Sequence, residues 1–414
     1  MVGGAEVVIQ SKRPEGAVRM KSGLRRVRTM ASTVPLLGML LLALGCATRP
    51  ATKALESSGS EGAADPMVPP PSKCPGKDLL AASACDVKDV SDCREKCAAG
   101  NLPSCSNLAL ALQWGKGVER DPSAAKPLFQ ETCECGLVVG CVNLGYLYAE
   151  GVGVERDERR AASLYERGCA ANAGVGCANL GLCYEEGHGV RKDLAKAVSL
   201  NRQGCELGLT KHWFDRIVTN RATGCANLGR LYEIGLGVPE DVAQAVRLFQ
   251  TACEADTPIG CRHLGRMYEA GSGVPQDHEK ARELYATACD GDDPAGCTLL
   301  GMLYEHAAGI PRDYVLARTS YERGCALDFV DACRNLGAIY SNGLGVAHDY
   351  ERARTLFEKT CARESGIGCS SLGYLYLQGQ GVARDVGMAI RLFERGCKLG
   401  DDWGCGKLRQ VTPP

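Results

Sequence analysis

The chain has 414 residues, and its 48 Lys/Arg nearly balance 49 Asp/Glu. Residues 1–45 hold seven basic and two acidic residues, so from Cys46 onward 41 basic face 47 acidic, a balance of −6. That argues against a nucleic-acid backbone binder, which needs a concentrated basic face, and 24 cysteines argue against an ordinary reduced cytosolic protein.

Lys21, Arg25, Arg26 and Arg28 precede an apolar run from Val34 to Leu44, followed by Gly45 and Cys46. A basic stretch and a short apolar stretch in this order read as a secretory signal, too short to span a bilayer stably. Leu-Ala-Leu-Gly-Cys resembles a bacterial lipobox. On that reading residues 1–45 are removed, and Cys46 is lipidated and becomes the mature N-terminus. Ala43 departs from the usual leucine, and cleavage nearby without a lipid is the alternative. Met20 is an alternative start. Residues 46–73, rich in Ser, Thr, Gly, Ala and Pro, bury too little apolar surface to order themselves and read as a flexible tether reaching roughly 30 Å.

Residues 74–104 read as an N-terminal cap, in which Asp86 to Cys97 has the length of the second helix of a repeat. From there one sentence recurs. Cysteines at 105, 141, 177, 225, 261, 297, 333, 369 and 405 are 36 residues apart, except for an interval of 48 between Cys177 and Cys225. A fixed period of this size is the signature of a stacked repeat protein. It overrides the two or three domains that length alone suggests.

Each unit reads as two antiparallel helices. Helix A starts at the cysteine, with Leu264, Met267 and Tyr268 on a buried face; Gly271 supplies a left-handed C-cap and Gly273 continues the turn. Gly265 costs helix propensity of roughly 1 kcal/mol relative to alanine. Its recurrence at 145, 181, 229, 301, 337 and 373 predicts close helix approach. Asp277 and its equivalents Asp121, Asp157, Asp193, Asp241, Asp313, Asp349 and Asp385 are placed to N-cap helix B. Ala281, Leu284 and Tyr285 then form its apolar stripe.

The second cysteine set falls at the end of helix B. The expected disulfides join it to the next helix A: Cys97–Cys105, Cys133–Cys141, Cys169–Cys177, Cys205–Cys225, Cys253–Cys261, Cys289–Cys297, Cys325–Cys333, Cys361–Cys369 and Cys397–Cys405. Zinc sites favour closer cysteine spacing than this, so metal is the weaker reading. Each nine-residue staple is worth about 2.5 kcal/mol on the chain-entropy model. Cys74, Cys85 and Cys93 are expected to give one further bridge, with the pairing open. Cys183 is expected to be a buried apolar residue, and Cys135 a competitor for Cys141. With Cys46 lipidated the count is odd, leaving at least one thiol free or intermolecular.

Leu-Gly-x-x-Tyr-x-x-Gly-x-Gly-Val-x-x-Asp-x-x-Lys-Ala-x-x-Leu-Tyr resembles the Sel-one-like repeat (SLR), a relative of the tetratricopeptide repeat, over about residues 86–410. The Cys-x7-Cys pairs resemble its secreted cysteine-rich branch. The resemblance implies an all-α fold, an α/α superhelical solenoid of about eight repeats over 105–404, capped by residues 405–414. It implies a scaffold for protein partners. Some cysteine-rich members are weak penicillin-binding or β-lactamase proteins, and another branch serves cytochrome oxidase assembly, so β-lactam binding or hydrolysis stands as the alternative.

Helix A is expected to line the concave face. Two residues after the cysteine come Asn107, Asn143, Asn179, Asn227 and Asn335, with His263, Leu299 and Ser371 elsewhere. Three further on are Tyr146, Arg230, Arg266, Met302 and Tyr374, then Glu150, Glu186 and His306. These share one helical stripe. Asn amides on it are suited to a peptide backbone and Arg230 and Arg266 to a carboxylate; alternatively the amides satisfy backbone groups between repeats. The unit from Cys177 departs from the pattern, with Asn201 at an aromatic position and an insertion at 206–224 carrying Trp213 and Phe214. Two readings stand for it: a contact loop or hinge, and a lengthened helix B that packs both rings.

Catalysis has thin support. Ser123-Ala-Ala-Lys126 matches one element of penicillin-interacting enzymes, but no Ser-Asp-Asn or Lys-Thr-Gly accompanies it. Pro127 is expected to kink that helix. Six scattered histidines form no metal motif. The expectation is a non-catalytic binding scaffold of the bacterial cell envelope. It takes no cofactor or metal, binds protein or peptide partners but not nucleic acid, and is held to the membrane by a lipid in the periplasm or outer membrane.

Overall fold

A computed structural model describes residues 74, 84–208, 222–306 and 309–412. Among them are eighteen helices and no strand. Helix α1 (Val90–Ala98) comes first. Eight A/B pairs follow: α2/α3 (Leu102–Trp114, Pro122–Glu134), α4/α5 (Val138–Glu150, Glu158–Ala170), α6/α7 (Gly174–Glu186, Leu194–Gly208) and α8/α9 (Thr223–Ile234, Val242–Glu254), then α10/α11 (Pro258–Ala270, His278–Asp290), α12/α13 (Pro294–His306, Tyr314–Ala326), α14/α15 (Val330–Asn342, Tyr350–Ala362) and α16/α17 (Gly366–Gln378, Val386–Lys398). Helix α18 (Asp402–Val411) follows in the position of an A helix.

Local chemistry explains these boundaries. The Asp277 carboxylate accepts from the Lys280 N–H at 2.9 Å and opens α11. The other seven expected aspartates do the same for their B helices. Helix A begins earlier than expected, at Pro258 for the copy of Cys261. Asp256 takes a left-handed φ of 55° and turns the chain, so that the Cys261 N–H already donates to the Thr257 carbonyl. Helix α3 runs from Pro122 to Glu134 with Pro127 inside it.

Two glycines of the repeat have separate reasons. A Cβ on Gly265 would lie 2.7 Å from the Tyr285 ring, so the glycine lets α10 settle on the aromatic ring α11 buries. Phe129, Tyr165, Phe249, Tyr321, Phe357 and Phe393 are the buried counterparts of Tyr285, and only the unit with Asn201 lacks a ring there. Gly273 has a φ of 70°, and a Cβ on it would lie 2.7 Å from Val242 at the start of α9, one repeat earlier. It therefore does more than continue a turn: it lets the A–B turn rest on the preceding repeat.

Neighbouring A helices approach one another closely at α6/α8, α8/α10, α10/α12, α12/α14 and α16/α18, whereas among B helices only α11/α13 do so comparably. The A helices therefore line the inner side of the stack. Its core is built from clusters that each join neighbouring repeats, with helix B aromatics among their buried members.

All nine expected staples are present and join each B helix to the following A helix. The remaining cysteines correct the expectation. Cys85 pairs with Cys93, and Cys74 with Cys135, giving two further bridges rather than one. Cys135 does not compete for Cys141, because its sulfur is bonded to Cys74 and Cys141 to Cys133. Cys183 is fully buried, as its place on the core face requires, but it is disulfide-bonded. No described cysteine is free. Cys46 lies outside the described residues.

Candidate functional site: the A-helix face

Residues two, five and nine places after each A-helix cysteine share one face, since these offsets fall one and two turns apart. The asparagines at its first position differ in surroundings. Asn107 donates its amide to the Cys85 carbonyl at 2.7 Å and so ties the first repeat to the segment before α1. Asn335 hydrogen-bonds the Tyr321 hydroxyl of the preceding repeat. Asn179 and Asn227 are buried, and Asn143 is half-buried. The amide nitrogen of Asn227 has no hydrogen-bond partner.

Aromatic pairs stand at both ends of the face. Tyr146 lies 5.9 Å from Trp114, and Tyr374 lies 5.9 Å from Trp403; both tryptophans are exposed. The Lys407 ammonium sits 5.7 Å from the Tyr374 ring and 5.6 Å from the Trp403 ring, within cation–π range. Trp213 and Phe214 lie outside the described residues.

The centre of the face is charged. The Arg230 guanidinium is 2.5 Å from the Glu185 carboxylate, linking α8 to α6 across the irregular junction, with both side chains largely buried. Arg262 is 2.6 Å from Asp293. Arg266 comes only within 3.9 Å of Glu233 and keeps 36% of its side chain exposed. Between them lies His263, buried and stacked on Phe249 at 4.8 Å. Burial, then the guanidinium groups of Arg262, Arg266 and Arg230, push its imidazole well below the usual range, so it is neutral. The carboxylates of Glu269 and Glu305 instead accept the hydroxyls of Tyr285 and Tyr321 at 2.5 and 2.6 Å. Burial and these carboxylates hold both phenols above their ordinary range.

Sequence reasoning named Arg230 and Arg266 together and missed Glu185, Glu233 and Asp293. A signal was available: an acidic residue eight places after the cysteine recurs in four successive units, at 185, 233, 269 and 305. It meets an arginine five places into the next unit, or a tyrosine of its own helix B.

The junction at Cys205–Cys225 looks weak in sequence, because Asn201 replaces a ring. It is held nonetheless. The bridge closes at a Cα–Cα distance of 4.3 Å, as narrow as the regular staples, and the buried ion pair spans it. Ser123 lies in the first turn of α3 and donates to the Asp121 carboxylate at 2.5 Å, while Lys126 points its ammonium toward the Tyr148 ring at 5.9 Å. Among the described residues no cluster of metal-ligating side chains occurs, and no helix is long and apolar enough to cross a membrane.

A family model described as Sel1 repeat matches residues 102–137, 138–172, 174–209, 222–256, 258–293, 294–329, 330–365 and 367–401. Among solved structures the chain is similar to a protective antigen of uropathogenic Escherichia coli displaying an SLR fold, at 25% identity over 78% of this chain and 67% of that one, with a TM-score of 0.48. It is similar to a Sel1 repeat protein from Oxalobacter formigenes at 22% identity over 84% and 99%, with a TM-score of 0.48. It also matches Helicobacter pylori cysteine rich protein B at 29% identity over 32% and 96%, with a TM-score of 0.26. No curated protein matches the chain.

Proposed function

This chain belongs to the Sel1 repeat family, whose repeats serve as protein-interaction scaffolds, and from that premise we propose that its A-helix face binds protein or peptide partners in the bacterial cell envelope. The observation that carries the reading is the face itself. It runs along eight repeats on the inner side of the stack, with half-buried polar and aromatic side chains at Asn143, Tyr146, Arg266 and Tyr374 and exposed tryptophans at its ends. Such a surface combines hydrogen-bonding groups with rigid aromatic area, the mixture found at interface centres. Asn179, Asn227, Arg230 and Asn335 contribute its walls. Trp213 and Phe214, in the inserted segment, are assigned to partner contact.

The eleven disulfides among the described residues fit an oxidising compartment outside the cytoplasm. We assign the lipid anchor to Cys46 on its lipobox-like setting alone; the thioether would take the sulfur of the one cysteine left over for Cys183, so a lipidated chain would carry Cys183 as a thiol. A Cys46→Ser protein that still partitions with membranes and still carries a lipid would sink that assignment. β-Lactam hydrolysis has no observation in its favour.

The test of the binding face uses a photo-crosslinking amino acid at Tyr146 or Tyr374, with Val315 on the exposed start of a B helix as the comparison. Discrete adducts from the two tyrosine positions and none from Val315 are expected. Equal yields from both faces, or none from either tyrosine position, would overturn the reading.

A further inference from the structure

Three guanidinium groups lie near enough to His263 to disfavour its charged form, and they are not equivalent. Arg230 is held by Glu185 at 2.5 Å and Arg262 by Asp293 at 2.6 Å, and the four side chains are between 2% and 16% exposed. Opening either pair would leave a carboxylate buried without its counter-charge, which is costly. Arg266 differs. Its ion-pair partner, Glu233, is 3.9 Å away, at the limit of such a pair, and their side chains are 36% and 22% exposed. The next carboxylate along α10, Glu269, accepts the Tyr285 hydroxyl.

Two polar groups of the same face are without partners. His263, one turn earlier on α10, is neutral and carries a buried Nδ1 without a partner. The Asn227 amide nitrogen, at the same register on the neighbouring α8, is a buried donor without a partner. Ile234, which closes α8, is 52% exposed and offers an apolar contact at the edge of the same groove.

We infer that Arg266 is the acid-reading position of the A-helix face: it takes the carboxylate of an Asp or Glu side chain in an extended peptide lying across α8 and α10, with the residue beside that acid resting on Ile234. The inference rests on the binding-face reading above. It separates the two arginines that share a register, making Arg266 the ligand contact and Arg230 a structural tie between repeats.

The experiment is fluorescence anisotropy on the disulfide-bonded folded chain. The probes are two fluorescein-labelled decapeptide pools of matched random composition, one with Glu fixed at a central position and one with Gln. The wild-type chain is expected to bind the Glu pool about fivefold more tightly. Arg266→Gln should bring that ratio to about 1, while Glu233→Gln, which removes the competing acid, should raise it. Arg323→Gln, on the far side of the stack, should leave it unchanged. Equal binding of both pools by wild type, or a preference that survives Arg266→Gln, overturns the assignment of Arg266 and leaves the binding face standing. Binding of neither pool overturns the peptide-binding face and this inference with it.

Discussion

Arg230 in α8 donates to Glu185 in α6 at 2.5 Å, and the two side chains are 16% and 2% exposed. This pair crosses the junction where the repeat loses an aromatic ring and gains twelve residues, so it adds a buried charge–charge tie between the two units there. Arg230→Met should lower stability by about 3 kcal/mol, because Glu185 is left charged and buried. Adding Glu185→Leu should restore most of that loss. Thermal denaturation under non-reducing conditions reads both, and a double variant as unstable as the single one would mean the pair is not the cause.

Gly265→Ala tests the wedge between helices A and B. Alanine raises intrinsic helix propensity by roughly 1 kcal/mol, yet its methyl group would lie 2.7 Å from the Tyr285 ring. Overpacking should win, with a net destabilisation of about 1–3 kcal/mol. Pairing the substitution with Tyr285→Leu should relieve it. Chemical denaturation midpoints give the comparison.

Asn201 is fully buried under Gly181, and its side-chain oxygen has no partner. Every other full repeat places Phe or Tyr there. Asn201→Phe should stabilise the protein by about 1–2 kcal/mol, by removing an unsatisfied amide oxygen and burying a ring. A lower melting temperature would show that the inserted unit has closed around the smaller side chain.

Glu131 on α3 is buried with neither carboxylate oxygen partnered, and burial, then the nearby Glu134, raise its pKa to about 6. The native state holds this proton more tightly than the unfolded chain. The contribution is therefore favourable below about pH 4.5 and is lost as the pH rises through 6. Glu131→Gln should stabilise the protein at pH 7.5 by about 1 kcal/mol and change little at pH 4. A pH-independent effect would locate its origin elsewhere.

Cys74 is exposed and its bridge to Cys135 closes 61 residues, whereas the staples at the repeat junctions close 8 or 20. Most of the other cysteines are buried. Mild reductant followed by alkylation and peptide mapping should label Cys74 and Cys135 first, before Cys289 and Cys297. Helical circular dichroism should hardly change at that stage.

The legible part of this protein lies within one period. The helix pairs, the aspartate caps from Asp121 to Asp385 and the Cys-x7-Cys staples depend on residues at most a few turns apart. Their periodicity and spacing therefore specify them before any packing is known. The glycine at 265 was legible as a close approach, though its wedge partner Tyr285 came from the structure. The illegible part joins residues whose distance along the chain says nothing about contact: Gly273 on Val242, Cys74 to Cys135, and Arg230 to Glu185. Stacking decided these, because the rotation of one repeat on the next selects which side chains meet. The sequence thus determined a row of arginines and asparagines on one face of a stapled solenoid. Only the tertiary structure decided that Arg230 is bound into the frame by a buried carboxylate while Arg266 keeps its charge toward the groove.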